Sequence, residues 1–115
     1  MKARALAESL GVRIVEKRGG TRARRCVISE YHTRTKTIVL YRDSLELLAD
    51  VVRERRLPFE AALLDEIAIA HECAHVRVPK AREAEAHAFA QELLGLDASP
   101  AILEEALAQR LERSA

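Results

Sequence analysis

From Phe59 to Arg77 the chain carries Leu63, Leu64, Ile67, Ala68, Ile69, Ala70 and Ala74, a density of apolar residues that leaves a helix with almost no polar face. A helix apolar nearly all round is buried on most sides. In a chain of 115 residues, the common size for one domain, the remaining elements must therefore wrap around this one. Pro58 suits the first helical position, where its missing N–H is no loss. Pro79 disfavours a helical Val78, so the helix should end near Arg77. The expected unit is a single domain over 1–115.

The flanking segments read as short elements. Residues 3–10 have helical composition, and Gly11 suits a left-handed helix end. Val12, Ile14 and Glu16 begin a strand-like alternation, and Gly19-Gly20 marks a turn. Cys26 to Tyr31 and Thr37 to Tyr41 are rich in β-branched and aromatic residues around a polar stretch, the pattern of an antiparallel hairpin. Asp43 is placed to cap a helix running to about Arg56, with Glu46 reaching back to its amide. A further helix should span Lys80 to Leu94 and close at Gly95. Ser99-Pro100 opens the last one, which reaches Arg113. The fold class expected is α+β: a small antiparallel three-stranded sheet with helices packed on it.

Composition narrows the function classes. Charged residues make up 32% of the chain but the net charge is only +1, the balance of an ordinary globular protein. The basic stretch from Lys17 to Arg25 is a lone cluster offset by acidic helices, so direct nucleic-acid binding is not expected. Cys26 and Cys73 are too few for a disulfide framework and read as reduced thiols, with one disulfide as the alternative. Met1 to Leu10 lacks a signal-peptide apolar core, and no run approaches the ~20 apolar residues that span a bilayer. These features give a cytoplasmic expectation with no membrane partner.

Chemistry concentrates in the last turns of the apolar helix, at His71-Glu72-Cys73-Ala74-His75. Histidines four apart project from one helix face, where two imidazoles can share a Zn²⁺ at ~2.0–2.1 Å each. Glu72, rotated about 100° from His71, flanks the metal and can take a proton from water there. Cys73 points to the far side and should pack in the core. A core helix whose histidines are merely hydrogen-bonded would carry the same letters.

A catalytic zinc takes three protein ligands and an open position. By residue type alone, Cys26, His32, Asp65 and Glu66 qualify. Glu83 and Glu85 qualify better, because an antiparallel helix after Pro79 would bring Glu83 level with His75. Ala86, Phe89, Ala90 and Leu93 define that helix's apolar face. Glu83 lies about 70° from its centre and Glu85 about 90° on the other flank, and Glu83 shares its side with His87. Orientation favours Glu83. Both remain candidates, and each is also readable as a solvated surface glutamate.

His71-Glu-Cys-Ala-His75 followed by Glu83-Ala-Glu-Ala-His-Ala-Phe-Ala-Gln-Glu-Leu-Leu94 resembles the ImmA/IrrE-type gluzincin metallopeptidases. That family typically shows HExxH and then a helix of the form E-x-x-A-(N/D)-x-F-A-x-x-L-L. The resemblance implies a zincin-like fold, zinc on His71, His75 and Glu83, and Glu72 as general base. It also implies a peptide or protein substrate, and family members include regulators that cleave repressor proteins. Two departures stand out: a short spacer between His75 and Glu83, and His87 where the family has Asn or Asp. His87 could orient a ligand through a ring nitrogen, join the metal, or be a surface residue, and the first of these is favoured. Zincins bind substrate backbone along an edge strand, here expected at 37–41. Tyr31, Tyr41, His32 and His87 are candidate donors to a developing oxyanion. The alternative function is a non-catalytic zinc-binding regulatory domain that keeps the fold and binds protein.

Overall fold

The computed structural model describes residues 2–113; Met1, Ser114 and Ala115, at the ends of the expected domain, lie outside the described residues. The described residues form an α+β fold with five helices and a small mixed three-stranded sheet. In order these are α1 (Lys2–Ser9), β1 (Arg13–Lys17), β2 (Thr21–Arg22), β3 (Arg25–Cys26), β4 (Ser29–His32), β5 (Thr37–Tyr41), α2 (Arg42–Arg55), α3 (Leu64–Arg77), α4 (Glu83–Leu94) and α5 (Ala101–Arg113). A short 3₁₀ turn at Ala61–Leu63 leads into α3.

The apolar helix α3 sits at the centre, against α1 and α4 and under β4 and β5. Leu64, Ile67, Ala68, Ile69, Ala70 and Cys73 are all buried, so its near-absence of a polar face is matched by its neighbours. The helix starts at Leu64 rather than Pro58, which lies in the preceding bend. Its end agrees with the sequence: Val78 is extended before Pro79. Buried Glu66 accepts a 2.9 Å bond from the Ala3 amide, so α3 caps the positive end of α1. No helix among the described residues is long and apolar enough to cross a membrane.

The sheet order is β1-β5-β4, with β5 in the middle. β4 and β5 form the expected antiparallel hairpin, with Tyr31 opposite Ile38. β1 pairs with β5 in parallel, Ile14 opposite Ile38, so the sheet is mixed and not antiparallel. The physical reason is topological: the hairpin folds back so that its second strand, not its first, lies beside β1. Parallel neighbours need a crossover, which residues 18–36 supply. Cys26–Tyr31 is likewise not one strand. Cys26 pairs with Thr21 in a separate β2–β3 hairpin, and the Val27 amide bonds to the Gly20 carbonyl, which breaks the run.

The capping box expected at Asp43 and Glu46 is absent. Helix α2 starts two residues earlier, at Arg42 with Tyr41 in the cap position, and tertiary partners take both carboxylates. Asp43 accepts from the amides of Gly19, Gly20 and Thr21 at 3.0–3.2 Å, and Glu46 pairs with Arg18. Gly20 is the fixed point of this loop, since a Cβ there would overlap the Val27 carbonyl, the Ser44 hydroxyl and Tyr41.

Candidate metal centre

His71 and His75 come from successive turns at the end of α3, and their Nε2 atoms stand 3.3 Å apart. Glu83, the first residue of α4, reaches back across the short α3–α4 connection. Its Oε2 lies 3.0 Å from His71 Nε2 and its Oε1 lies 3.1 Å from His75 Nε2. Helix α4 begins at Glu83 rather than near Lys80, which places this carboxylate in its first turn. Buried Ala86 and Ala90 let α4 approach α3 closely.

Glu85 does something else. Its Oε1 accepts a 3.1 Å bond from the Arg82 amide and so closes the start of α4. The other candidates by type are also elsewhere engaged. Asp65 holds Arg42, Glu66 holds the Ala3 amide, Cys26 contacts the Thr21 hydroxyl, and His32 lies beside Glu30 on β4.

The donors could hold a metal ion. Tetrahedral zinc with bonds of ~2.0–2.1 Å spaces its ligand atoms about 3.3 Å apart, and here the pairs stand 3.0–3.3 Å apart, with Glu83 turning a different carboxylate oxygen to each histidine. Burial holds the His71 pKa below its usual value, with Glu83 opposing. That favours the neutral imidazole, the form that ligates metal. Glu83 stays largely exposed, leaving one side of the cluster open to solvent.

Glu72 is buried beside the cluster, and burial raises its pKa above the ordinary glutamate value. The Ser29 hydroxyl on β4 opposes that rise with a 2.7 Å hydrogen bond to Glu72 Oε2. Ser29 has no local sequence signal; only the folded packing of β4 over α3 brings it here. Cys73, on the far side of α3, is fully buried near the Ala3 carbonyl, and the two thiols are unpaired.

His87 enters the same cavity from α4. Its ring centroid is 4.7 Å from that of His71, and a ring nitrogen falls within 4.8 Å of donor atoms of His71 and Glu83. The residue is 6% exposed, and neither ring nitrogen has a hydrogen-bond partner among the described residues. Nε2 lies 3.2 Å from Glu104 Oε2, close enough for strong charge attraction though misaligned for a hydrogen bond. Glu104 raises the His87 pKa, and His87 lowers that of Glu104. Glu104 sits on α5, which no sequence motif connects with the histidines.

Ser29, His71, Glu72, His75, Glu83, His87 and Glu104 line one cavity of about 850 Å³. Tyr31, Tyr41 and His32 do not line it; Tyr41 instead donates to Glu30. Among the oxyanion candidates, His87 alone faces the centre. β5 is the central strand, so it has no free edge. β4 is the edge strand beside the cavity, with Ser29 in its wall.

Comparison with known protein families, curated proteins and solved structures finds no match for this chain.

Proposed function

We propose that this chain is a zinc-dependent metallopeptidase of zincin-like architecture, with His71, His75 and Glu83 as metal ligands and Glu72 as general base. One observation carries the reading. Two imidazoles and a carboxylate from different helices face one another at 3.0–3.3 Å, with a buried glutamate alongside. The resemblance of His71–His75 and Glu83–Leu94 to the ImmA/IrrE-type gluzincins supports it further.

When bound, zinc supplies Lewis acidity that draws the pKa of water towards neutrality and polarises a carbonyl. The chain's own residues do the rest. Glu72 accepts the proton of the attacking water at Oε1 or Oε2, and the Ser29 hydroxyl fixes the orientation of that carboxylate. His87, backed by Glu104, presents a ring N–H to the oxygen on which negative charge develops. An extended peptide adds to the outer edge of β4 through main-chain hydrogen bonds, which aligns its backbone across the cavity. A protein partner, for example a transcriptional regulator, fits this substrate class.

His87 also favours a second reading. A fourth protein donor closes a zinc site and makes it structural, so the chain would then be a non-catalytic zinc-binding regulatory domain. Glu72→Gln separates the two. The peptidase reading expects zinc content to be kept and peptide hydrolysis to fall by about 10²–10⁴-fold. Undiminished turnover in Glu72→Gln refutes the mechanism, and wild-type protein that holds zinc but cleaves nothing favours the second reading.

A further inference from the structure

Half of the β2–β3 hairpin, Thr21 to Cys26, is arginine. Arg22 and Arg25 stand directly opposite each other on the two strands. Arg24 lies in the turn between them, where Ala23 adopts a left-handed φ of 49°. Like charges placed opposite one another destabilise a strand pair. All three arginines are exposed, and none has an ion-pair or hydrogen-bond partner for its guanidinium among the described residues. The acids of the surrounding segments are held by other groups. Asp43 accepts from the Gly19, Gly20 and Thr21 amides, Glu46 pairs with Arg18, and Glu30 accepts from Tyr41. The chain itself therefore leaves the repulsion uncompensated.

Arg24 lines the cavity of the metal centre, while Arg22 and Arg25 line a second, smaller pocket with Glu30 and Tyr41. Val27 belongs to the wall of both, so the two pockets adjoin at the base of the hairpin. Arg25 precedes Ser29, the partner of Glu72, by four positions, which limits their separation to about 14 Å. We infer that this hairpin docks an acidic segment of a protein substrate, with Asp or Glu side chains about four residues from the peptide bond held at the metal centre. Guanidinium forks match carboxylates in bidentate pairs, which suits arginine rather than lysine at all three positions. A nucleic acid is a poorer fit. Glu30 shares the smaller pocket, and Glu104 and Glu112 share the cavity wall with Arg24, so a continuous run of phosphates would meet carboxylates on both sides. The hairpin also has no aromatic ring on which a base could stack. The docking contact needs neither metal nor hydrolysis; its distance from the cleaved bond rests on the peptidase reading.

The experiment uses fluorescein-labelled peptides of serine, glycine and alanine that carry a central block of glutamates or of glutamines. Fluorescence anisotropy on the zinc-loaded Glu72→Gln chain reads binding, and hydrolysis is followed on the zinc-loaded wild type. In dilute salt the glutamate peptide should bind at least about tenfold more tightly than the glutamine peptide. Raising the salt to about 0.5 M should remove most of that gap. Changing Arg22→Gln, Arg24→Gln and Arg25→Gln together should abolish it with zinc content unchanged. Arg24→Gln alone, outside the strand ladder, should narrow it and serves where the triple variant does not fold. An equal change of charge elsewhere, Lys2→Gln with Arg34→Gln and Lys36→Gln, should leave the preference in place. Equal binding of the two peptides, a preference that survives the arginine changes, or one lost equally in the control variant overturns the inference. A single-stranded oligonucleotide that binds through the same arginines more tightly than the glutamate peptide overturns it too. Charge-dependent binding without wild-type hydrolysis supports the docking site and counts against the peptidase reading.

Discussion

The hydroxyl of Ser29 and the carboxylate of Glu72 are joined by a 2.7 Å hydrogen bond between β4 and α3. That bond stands between the edge strand and the proposed general base, so it ties the orientation of one to the position of the other. Ser29→Ala should leave zinc content intact and lower kcat/KM by about 10–100-fold, the usual cost of removing a group that orients a metal-site residue. Steady-state kinetics beside elemental analysis checks it. Loss of zinc in this variant would contradict the role.

Two glutamates two residues apart should behave differently. Glu83→Ala removes a carboxylate that faces both histidines, and zinc affinity should fall by more than ~100-fold, beyond the effect of a merely supporting group. Glu85→Ala removes the acceptor of the Arg82 amide. It should cost about 0.3–1.5 kcal/mol of stability and leave zinc affinity unchanged. Competition with a chromophoric chelator, beside denaturant unfolding, reads both outcomes.

Asp43 gives a pH signature away from the centre. The amides of Thr21, Gly20 and Gly19 hold its pKa below the ordinary 3.8. A carboxyl whose folded pKa is depressed adds stability above the unfolded value, and that contribution is lost as pH falls through the folded one. Asp43→Asn should therefore melt at a lower temperature than wild type near pH 7. The gap should narrow as pH drops below about 3.8, the ordinary value. Thermal melts across pH 2–7 test this, and a gap independent of pH would contradict it.

The thiols should differ in reactivity. Burial pushes Cys73 up to about 11 and seals it from solvent, whereas Cys26 is only half-buried. Since the thiolate is the nucleophile, a disulfide reagent at neutral pH should modify Cys26 in the native protein and both cysteines after unfolding. Rapid native labelling of Cys73 would show that the α1–α3 contact opens readily.

Local spacing made some of this legible and could not reach the rest. The shared face of His71 and His75, the stop at Val78-Pro79 and the left-handed Gly95 all follow from helical geometry within a few residues. The approach of Glu83 follows from an antiparallel turn after Pro79, although α4 begins later than its composition suggests. Pairing between distant segments left no such trace. The strand pattern of Val12–Glu16 is the same whether its neighbour runs parallel or antiparallel, and nothing near Thr37–Tyr41 says that it lies mid-sheet. Asp43 has the letters of a helix cap, yet three amides of the Gly19–Thr21 turn claim its carboxylate. Ser29 and Glu104 join the centre only through packing of β4 and α5, so no motif marks them.

His71, His75 and Glu83 are proposed to share one zinc. Elemental analysis of protein made without a histidine tag tests it most directly, with wild type, His71→Ala and Glu83→Ala measured side by side. About one zinc per wild-type chain is expected, and little or none in either variant. Metal-free wild type that stays metal-free when zinc is supplied, or variants that retain the full complement, would contradict it.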